Sequence, residues 1–139
     1  MQRTLLIVKP DAVERKLLGR ILAHVEAEGF RVVEARTHRM TVEEAGRFYA
    51  EHKERPFFPD LVEYMTSGMV FLACLEREDA IPHLRTTVGA TNPTEAAEGT
   101  VRKRFGIDKQ RNSVHASDSP ASAERELGIF FGQAAAAAR

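Results

Sequence analysis

His115 sits in the stretch Arg111 to Ser119, RNSVHASDS, among small hydrogen-bonding residues and just ahead of a helix start. Histidine titrates nearest neutrality, so it serves as a base or nucleophile once one ring nitrogen is held and the other keeps its lone pair. Glu126, about two helical turns into the following segment, is placed to reach back and hold one nitrogen. Ser113, Ala116 and Ser117 are small enough to let a bulky group such as a phosphoryl approach the ring. A lone histidine at a strand end is more often solvated or capping, so the chemical reading depends on whether phosphate-binding groups gather around it.

Such groups are available. Arg102, Lys103, Arg104, Lys109 and Arg111 face only Asp108 in the same segment. A basic run is usually a solvated face, yet arginine is also the side chain suited to bidentate phosphate binding. Arg85, Thr91 and Arg102, gathered with Lys9, would form an electrostatic clamp for a polyphosphate and for charge on a phosphoryl group in transfer. Neither GxxxxGK nor GxGxxG occurs, so a nucleotide would bind through another architecture. No Cys and His cluster has zinc spacing and no paired acids suggest a protein-held metal, so magnesium would arrive on the nucleotide. Of Phe57 and Phe58 in RPFFPD, one is expected in the core and the other as an exposed face on which a base stacks.

These residues need elements to bring them together. RTLLIVK, Arg3 to Lys9, reads as a buried strand stopped by Pro10, which leaves Lys9 at its end. Leu18, Ile21, Leu22 and Val25 mark one face of a helix over Leu17 to Phe30, closed by Gly29. A second strand follows over Arg31 to Met40, and Thr41 with Glu44 has capping-box spacing for a short helix carrying Phe48 and Tyr49. A short helix over Leu61 to Thr66, a turn at Ser67 and Gly68, an apolar strand over Met69 to Leu75 and a helix over Asp79 to Thr87 come next. Gly89 to Arg111 shows little periodicity and reads as a long irregular segment of the kind that is functional or disordered. A last strand ends near His115, and Ser119 with Pro120 opens a helix whose buried face is Ala123, Leu127, Phe130 and Phe131. The pattern predicts an α+β sandwich with helices on one or both faces of a small sheet.

The whole chain narrows the setting. Its 139 residues suit one domain over residues 1–131, with a low-complexity tail at 132–139. Lys plus Arg and Asp plus Glu both count 20, so no net field draws nucleic acid or anionic lipid and any anion site must be local. Cys74 is alone and inside an apolar run, hence a small core residue. No stretch approaches the ~20 apolar residues of a membrane span, and the N-terminus lacks the shape of a secretory signal. A cytoplasmic location is expected.

Several motifs together resemble one family. NSVHASD resembles the active-site signature of nucleoside diphosphate kinases, and VKPDAV, FYAEHKERPFFPDL, TSGMV, VGATNP, GTVR and SAERELGIFF follow in that family's order and near its spacing. The resemblance covers residues 3–131 and is to the short bacterial type, without a tryptophan-bearing C-terminal extension. It implies a ferredoxin-like fold, a four-stranded antiparallel sheet covered by helices. It implies transfer of the gamma phosphoryl group from a nucleoside triphosphate to a nucleoside diphosphate by a ping-pong route through a phosphohistidine at His115, with Mg2+ delivered on the nucleotide. Glu126 with Ser117 then orients His115, while Lys9, Tyr49 and Asn112 line the site and His52 lies near the phosphates. Arg85, Thr91 and Arg102 become the phosphate-binding set, and Phe57 the residue that stacks on the base. A homo-oligomer, tetramer or hexamer, is also implied.

This chain departs from the family pattern at Glu98, where proline is usual, at Lys103 and Arg104, where Gly-Asp is usual, and at Lys109, where an apolar residue often faces the base. The first three fall in a loop that packs subunits in the family, and the last leaves the base slot more open on one side. Two other functions fit the same residues. A binding module using the basic loop Arg102 to Arg111 would show salt-dependent binding that survives loss of His115. A phosphohistidine protein passing its group to other proteins would need the same activated ring and be revealed by protein acceptors.

Overall fold

A computed structural model describes residues 1–132, so all but the first residue of the expected tail lies outside the described residues. Strand β1, Gln2–Val8, is buried from Thr4 onward because it runs through the middle of the sheet. Apolar residues therefore fill both its faces, with Leu6 and Val8 in one core and Leu5 and Ile7 in the other. Pro10 ends the strand as expected, but it also begins a short helix, α1, Pro10–Glu14, for which its fixed φ suits the first turn. Helix α2, Leu18–Ala27, and strand β2, Arg31–His38, follow, separated by Gly29 at φ 90°.

Helix α3, Val42–Phe48, opens on the reciprocal Thr41 and Glu44 capping box and leads into a 3₁₀ turn, Ala50–His52. Helix α4, Phe58–Met65, starts three residues earlier than its apolar spacing suggested, because Pro59 fits the first turn of a helix. Strand β3, Val70–Arg77, and helix α5, Ala80–Val88, match their sequence patterns. The segment read as irregular holds a 3₁₀ turn, Pro93–Glu95, and a five-residue helix α6, Val101–Phe105, capped by the Thr100 side chain. Both are too short to leave a periodic signature. Strand β4, Val114–Ala116, and helix α7, Pro120–Phe131, complete the chain, with the Ser119 side chain accepting from the Ser122 N–H at 3.1 Å.

The sheet order is β2-β3-β1-β4 and every pairing is antiparallel, the ferredoxin-like arrangement. Helices α1, α2, α5 and α6 contribute to the core with Leu6 and Val8, whereas α3, α4 and α7 contribute to the core with Leu5 and Ile7. Helices thus cover both faces. Cys74 is fully buried in the second core, and burial pushes its thiol up to about 11. Among the described residues no helix is long and apolar enough to cross a membrane.

The short strand β4 decides the direction of the histidine. Ser113 precedes it at φ 77°, a left-handed conformation, with its carbonyl accepting from the Lys9 N–H at 2.9 Å. From that turn Val114 and Ala116 enter the first core. His115 pairs opposite Ile7 and so faces α3 and α7.

Candidate active site

At the ends of β1 and β4 a cleft of about 310 Å3 is walled by α3, its 3₁₀ turn and α7 on one side and by the loops around α5 and α6 on the other. His115 Nε2 is 2.9 Å from Glu126 Oε1. A carboxylate only accepts, so Nε2 carries the proton in this pair and the neutral ring keeps its lone pair on Nδ1. The Ser117 hydroxyl donates to the same Glu126 oxygen at 2.7 Å and accepts from the Leu5 N–H at 3.3 Å. That second bond pins the carboxylate to β1. Phe48 meets the imidazole edge-on at 4.8 Å between centroids, which fixes the ring plane by packing as well as by hydrogen bonding.

The cations approach from the other wall. Lys9 is the last residue before α1, and its Nζ donates to Asn112 Oδ1 at 2.9 Å, while the Asn112 amide donates to the Thr91 carbonyl at 3.0 Å. Burial, with the nearby Arg102 charge adding to it, lowers Lys9 to about 8, although Asp11 pulls the other way. Arg102 is itself buried, and it spends Nη1 on the Gly89 carbonyl at 2.8 Å and Nη2 on the Val114 carbonyl at 2.9 Å. It therefore sutures the loop after α5 to β4 while placing its charge in the cleft; its Nε is buried without a partner. Arg85 Nη1 donates to the Ala116 carbonyl at 3.3 Å. The predicted set Lys9, Arg85, Thr91, Arg102 and Asn112 lines one space with His115 and Glu126, as do Tyr49 and His52. Tyr49 is buried against Phe48, and desolvation followed by the Glu126 charge pushes its hydroxyl far above the normal tyrosine range. It is a neutral hydroxyl at any working pH. Ser117 lies behind the carboxylate and Ser113 behind the turn, both fully buried.

Outward of this space lies a second compartment of about 430 Å3 that shares Lys9, Leu61, Thr91 and Lys109 with the first and adds Phe57, Asp60 and Gln110. Phe57 is 45% exposed there, whereas Phe58 packs against the second core. The choice between the two rings is thus made by the start of α4, which turns successive side chains to different sides. The cations of the basic loop do not form one stripe. Arg102 is buried, Arg104 contacts His24 at 2.6 Å and Arg111 is paired with Asp108 at 2.7 Å.

Residues not singled out from the sequence also line the inner space: Phe48, Glu51, Leu61, Asp118 and Arg125. Arg125 joins α7 to the 3₁₀ turn, with Nη1 donating to the carbonyls of Arg47 and Phe48 at 3.2 and 3.3 Å and Nη2 3.7 Å from Glu51. Its place immediately before Glu126 was the available signal. Hydrogen bonding from Ser122, helped by the Arg85 charge, holds Asp118 below the usual carboxylate range. Among the described residues no group of three or more His, Cys, Asp or Glu side chains converges as a metal site. Lys9, Arg85 and Arg102 put positive charge on one wall of the cleft, while Glu51, Asp118 and Glu126 stand on the other sides.

The arrangement is that of a histidine with one free nitrogen facing a cationic pocket that opens onto an aromatic slot. Residues 2–136 match the family described as nucleoside diphosphate kinase. The chain is 53% identical over 131 residues to the nucleoside diphosphate kinase of Pasteurella multocida, covering 94% of each chain. It is 55% identical to that of Halorhodospira halophila, covering 94% of this chain and 93% of the relative. Among solved structures, the Aquifex aeolicus nucleoside diphosphate kinase superposes with a TM-score of 0.92 at 50% identity over 94% of both chains. The Halobacterium salinarum enzyme, solved in complex with CDP, superposes with a TM-score of 0.91 at 41% identity, over 94% of this chain and 87% of that one.

Proposed function

The chain belongs to the nucleoside diphosphate kinase family, and from that premise we propose that it moves the terminal phosphoryl group of a nucleoside triphosphate to a nucleoside diphosphate through His115. The observation that carries this reading is the pair His115 Nε2 to Glu126 Oε1 at 2.9 Å, which leaves Nδ1 as the nucleophilic atom. In the first half-reaction a bond forms from Nδ1 to the gamma phosphorus as the bond to the beta–gamma bridging oxygen breaks, and the diphosphate leaves. The ring becomes cationic in that step, and the Glu126 carboxylate on Nε2 offsets the charge. The second half-reaction reverses the chemistry with a different diphosphate, so one pocket serves twice.

Lys9, Arg85 and Arg102 bind the polyphosphate and its developing charge, with Thr91 and Asn112 beside them; Asn112 also orients Lys9. Tyr49 closes the wall behind the ring as a neutral hydroxyl, and His52 flanks the phosphates. A magnesium ion arriving on the nucleotide would neutralise part of the polyphosphate charge, with Lys9, Arg85 and Arg102 holding the rest. Phe57 stacks on the base, and because every base has a flat face, stacking alone admits all of them. The domain is proposed to span residues 1–131, its location to be the cytoplasm, and its working form to be a tetramer or hexamer. The β2 edge of the sheet supports assembly, since Glu34, Ala35, Arg36 and Thr37 are exposed on a strand that, among the described residues, pairs on one side only.

The deciding experiment is incubation with gamma-labelled ATP and magnesium without acceptor, then a chase with GDP. Label that is acid-labile, alkali-stable and released as GTP establishes the cycle. Absence of label on folded protein sinks it and favours a binding module.

Two further results are expected. Phe57→Ala should weaken nucleotide binding by roughly 1 to 3 kcal/mol, the value of one stacking contact, for every base. Unchanged KM values would show that the slot lies elsewhere. The second concerns pH. Because burial lowers Lys9 to about 8, kcat/KM should fall as pH rises through that value and the ammonium is lost from the free protein. A bound polyphosphate stabilises the ammonium, so the corresponding fall in kcat lies at higher pH. Stability runs in the opposite sense. The folded state binds the Lys9 proton less tightly than the unfolded chain, so its unfavourable contribution is relieved as pH climbs from about 8 toward the normal 10.5. A kcat/KM profile that is flat through pH 8, or one that falls equally in Lys9→Met, would refute the assignment.

A further inference from the structure

The loop between α6 and β4 is built to present one lysine to the cleft. Asp108 Oδ1 accepts from the N–H groups of Gln110 and Arg111 at 3.1 and 2.7 Å, and its Oδ2 takes the Arg111 guanidinium at 3.1 and 2.7 Å. The Arg111 carbonyl accepts from the Ile107 N–H at 2.7 Å, closing the loop on itself. Gln110 Nε2 then donates to the Asp60 carbonyl at 3.2 Å, which fastens the loop to α4. Lys109 lies at the tip between these anchors. Arg111 is neutralised by Asp108 and Arg104 is engaged with His24, but Lys109 has no ion pair or hydrogen bond among the described residues. It is exposed, yet it walls both the inner space that holds His115 and the outer compartment that holds Phe57.

A base stacked on Phe57 therefore meets the Lys109 side chain in the same compartment. The four-carbon stem covers flat apolar surface while the ammonium seeks a polar edge. An ammonium has three donors and no acceptor. Guanine, hypoxanthine, uracil and thymine carry a carbonyl oxygen on the ring edge where adenine and cytosine carry an amino group. We propose that Lys109 makes the slot select nucleotides whose base bears this carbonyl over those that bear an amino group. Stacking on Phe57 admits every base, and Lys109 ranks them. Asp60 lines the same compartment and its carboxylate pulls the other way, so the preference is of modest size. The proposal rests on reading the outer compartment as the base slot.

The test measures kcat/KM for GDP, IDP and ADP as acceptors, with ATP as donor, in the unmodified chain and in Lys109→Met and Lys109→Arg. IDP has the carbonyl of GDP without its exocyclic amine. The unmodified chain should favour GDP and IDP over ADP about fivefold, mainly through KM, the size of one hydrogen bond to a charge that is exposed and screened by solvent. Lys109→Met, which keeps the stem and drops the charge, should bring the three acceptors together, and Lys109→Arg should retain the ranking. No ranking in the unmodified chain overturns the proposal. So does an IDP that behaves like ADP, or a Lys109→Met loss equal for all three acceptors with a shallower salt dependence, since the ammonium would then act on phosphates. Failure of every variant and of the unmodified chain to take label on His115 would strike the site itself, a result distinct from loss of base ranking.

Discussion

Replacing His115 with alanine should lower phosphoryl transfer by at least about 10⁴-fold and remove the covalent label. Among the described residues, removing the ring deletes the only imidazole held by a carboxylate on the cleft wall, and lysine or tyrosine cannot take its place. Lys9 is tied to Asn112, and the Tyr49 hydroxyl stays protonated. His52 is the one neighbour with comparable chemistry, since it lines the same space and its Nδ1 is buried without a partner. Label that persists in His115→Ala and vanishes in His52→Ala would transfer the role to His52. The alanine variant also strips Phe48 of its ring contact and Glu126 of its partner. His115→Asn keeps a donor toward Glu126 and separates loss of chemistry from loss of fold; it should melt near the unmodified protein and still take no label.

The second large effect is expected at Glu126. Its Oε1 receives both the imidazole and the Ser117 hydroxyl, and the residue is buried at 5% exposure beside Leu127. Glu126→Gln preserves shape and an acceptor oxygen but removes the negative charge that offsets the cationic ring. Rates of labelling and of turnover should drop by about 10²-fold with little change in nucleotide KM, because the charge acts on the transition state rather than on the bound nucleotide. A turnover within about threefold of the unmodified chain would show that Glu126 only packs. Ser117→Ala, which leaves the carboxylate its charge and removes one donor, should cost less than Glu126→Gln; the reverse order would mean that pinning to β1 matters more than charge.

The elements with strong local signals were legible. β1 announced itself as an apolar run because a central strand is buried on both faces. α3 was marked by its capping box and α7 by Ser119 and Pro120. α1 and α6 escaped because five residues give too little periodicity, and α4 began early because its first turn carries the proline that looked like a loop. At the site, the residues singled out by chemical type, His115, Glu126, Lys9, Arg85 and Arg102, come to line one cleft. Arg125, Glu51 and Asp118 were not singled out, although Asp118 closes the NSVHASD stretch and Arg125 adjoins Glu126, because charge type alone does not tell that distant segments will put a residue on a cleft wall.

The linear order of residues by itself determined the kind of chemistry, the family resemblance and the α+β class, because side-chain type, motif spacing and hydrophobic period are local properties. Only the tertiary structure decided which atoms meet. It showed that Nε2 rather than Nδ1 of His115 faces the carboxylate, that Phe57 rather than Phe58 is the open ring, and that Arg102 is spent on two carbonyls while Lys109 has no partner among the described residues. The reason is geometric. The direction of His115 depends on the pairing of β4 with β1 and on a left-handed turn at Ser113, contacts between segments more than a hundred residues apart in the chain, as in the 112-residue separation of Leu5 and Ser117, whereas the choice of Phe57 over Phe58 depends on where α4 begins.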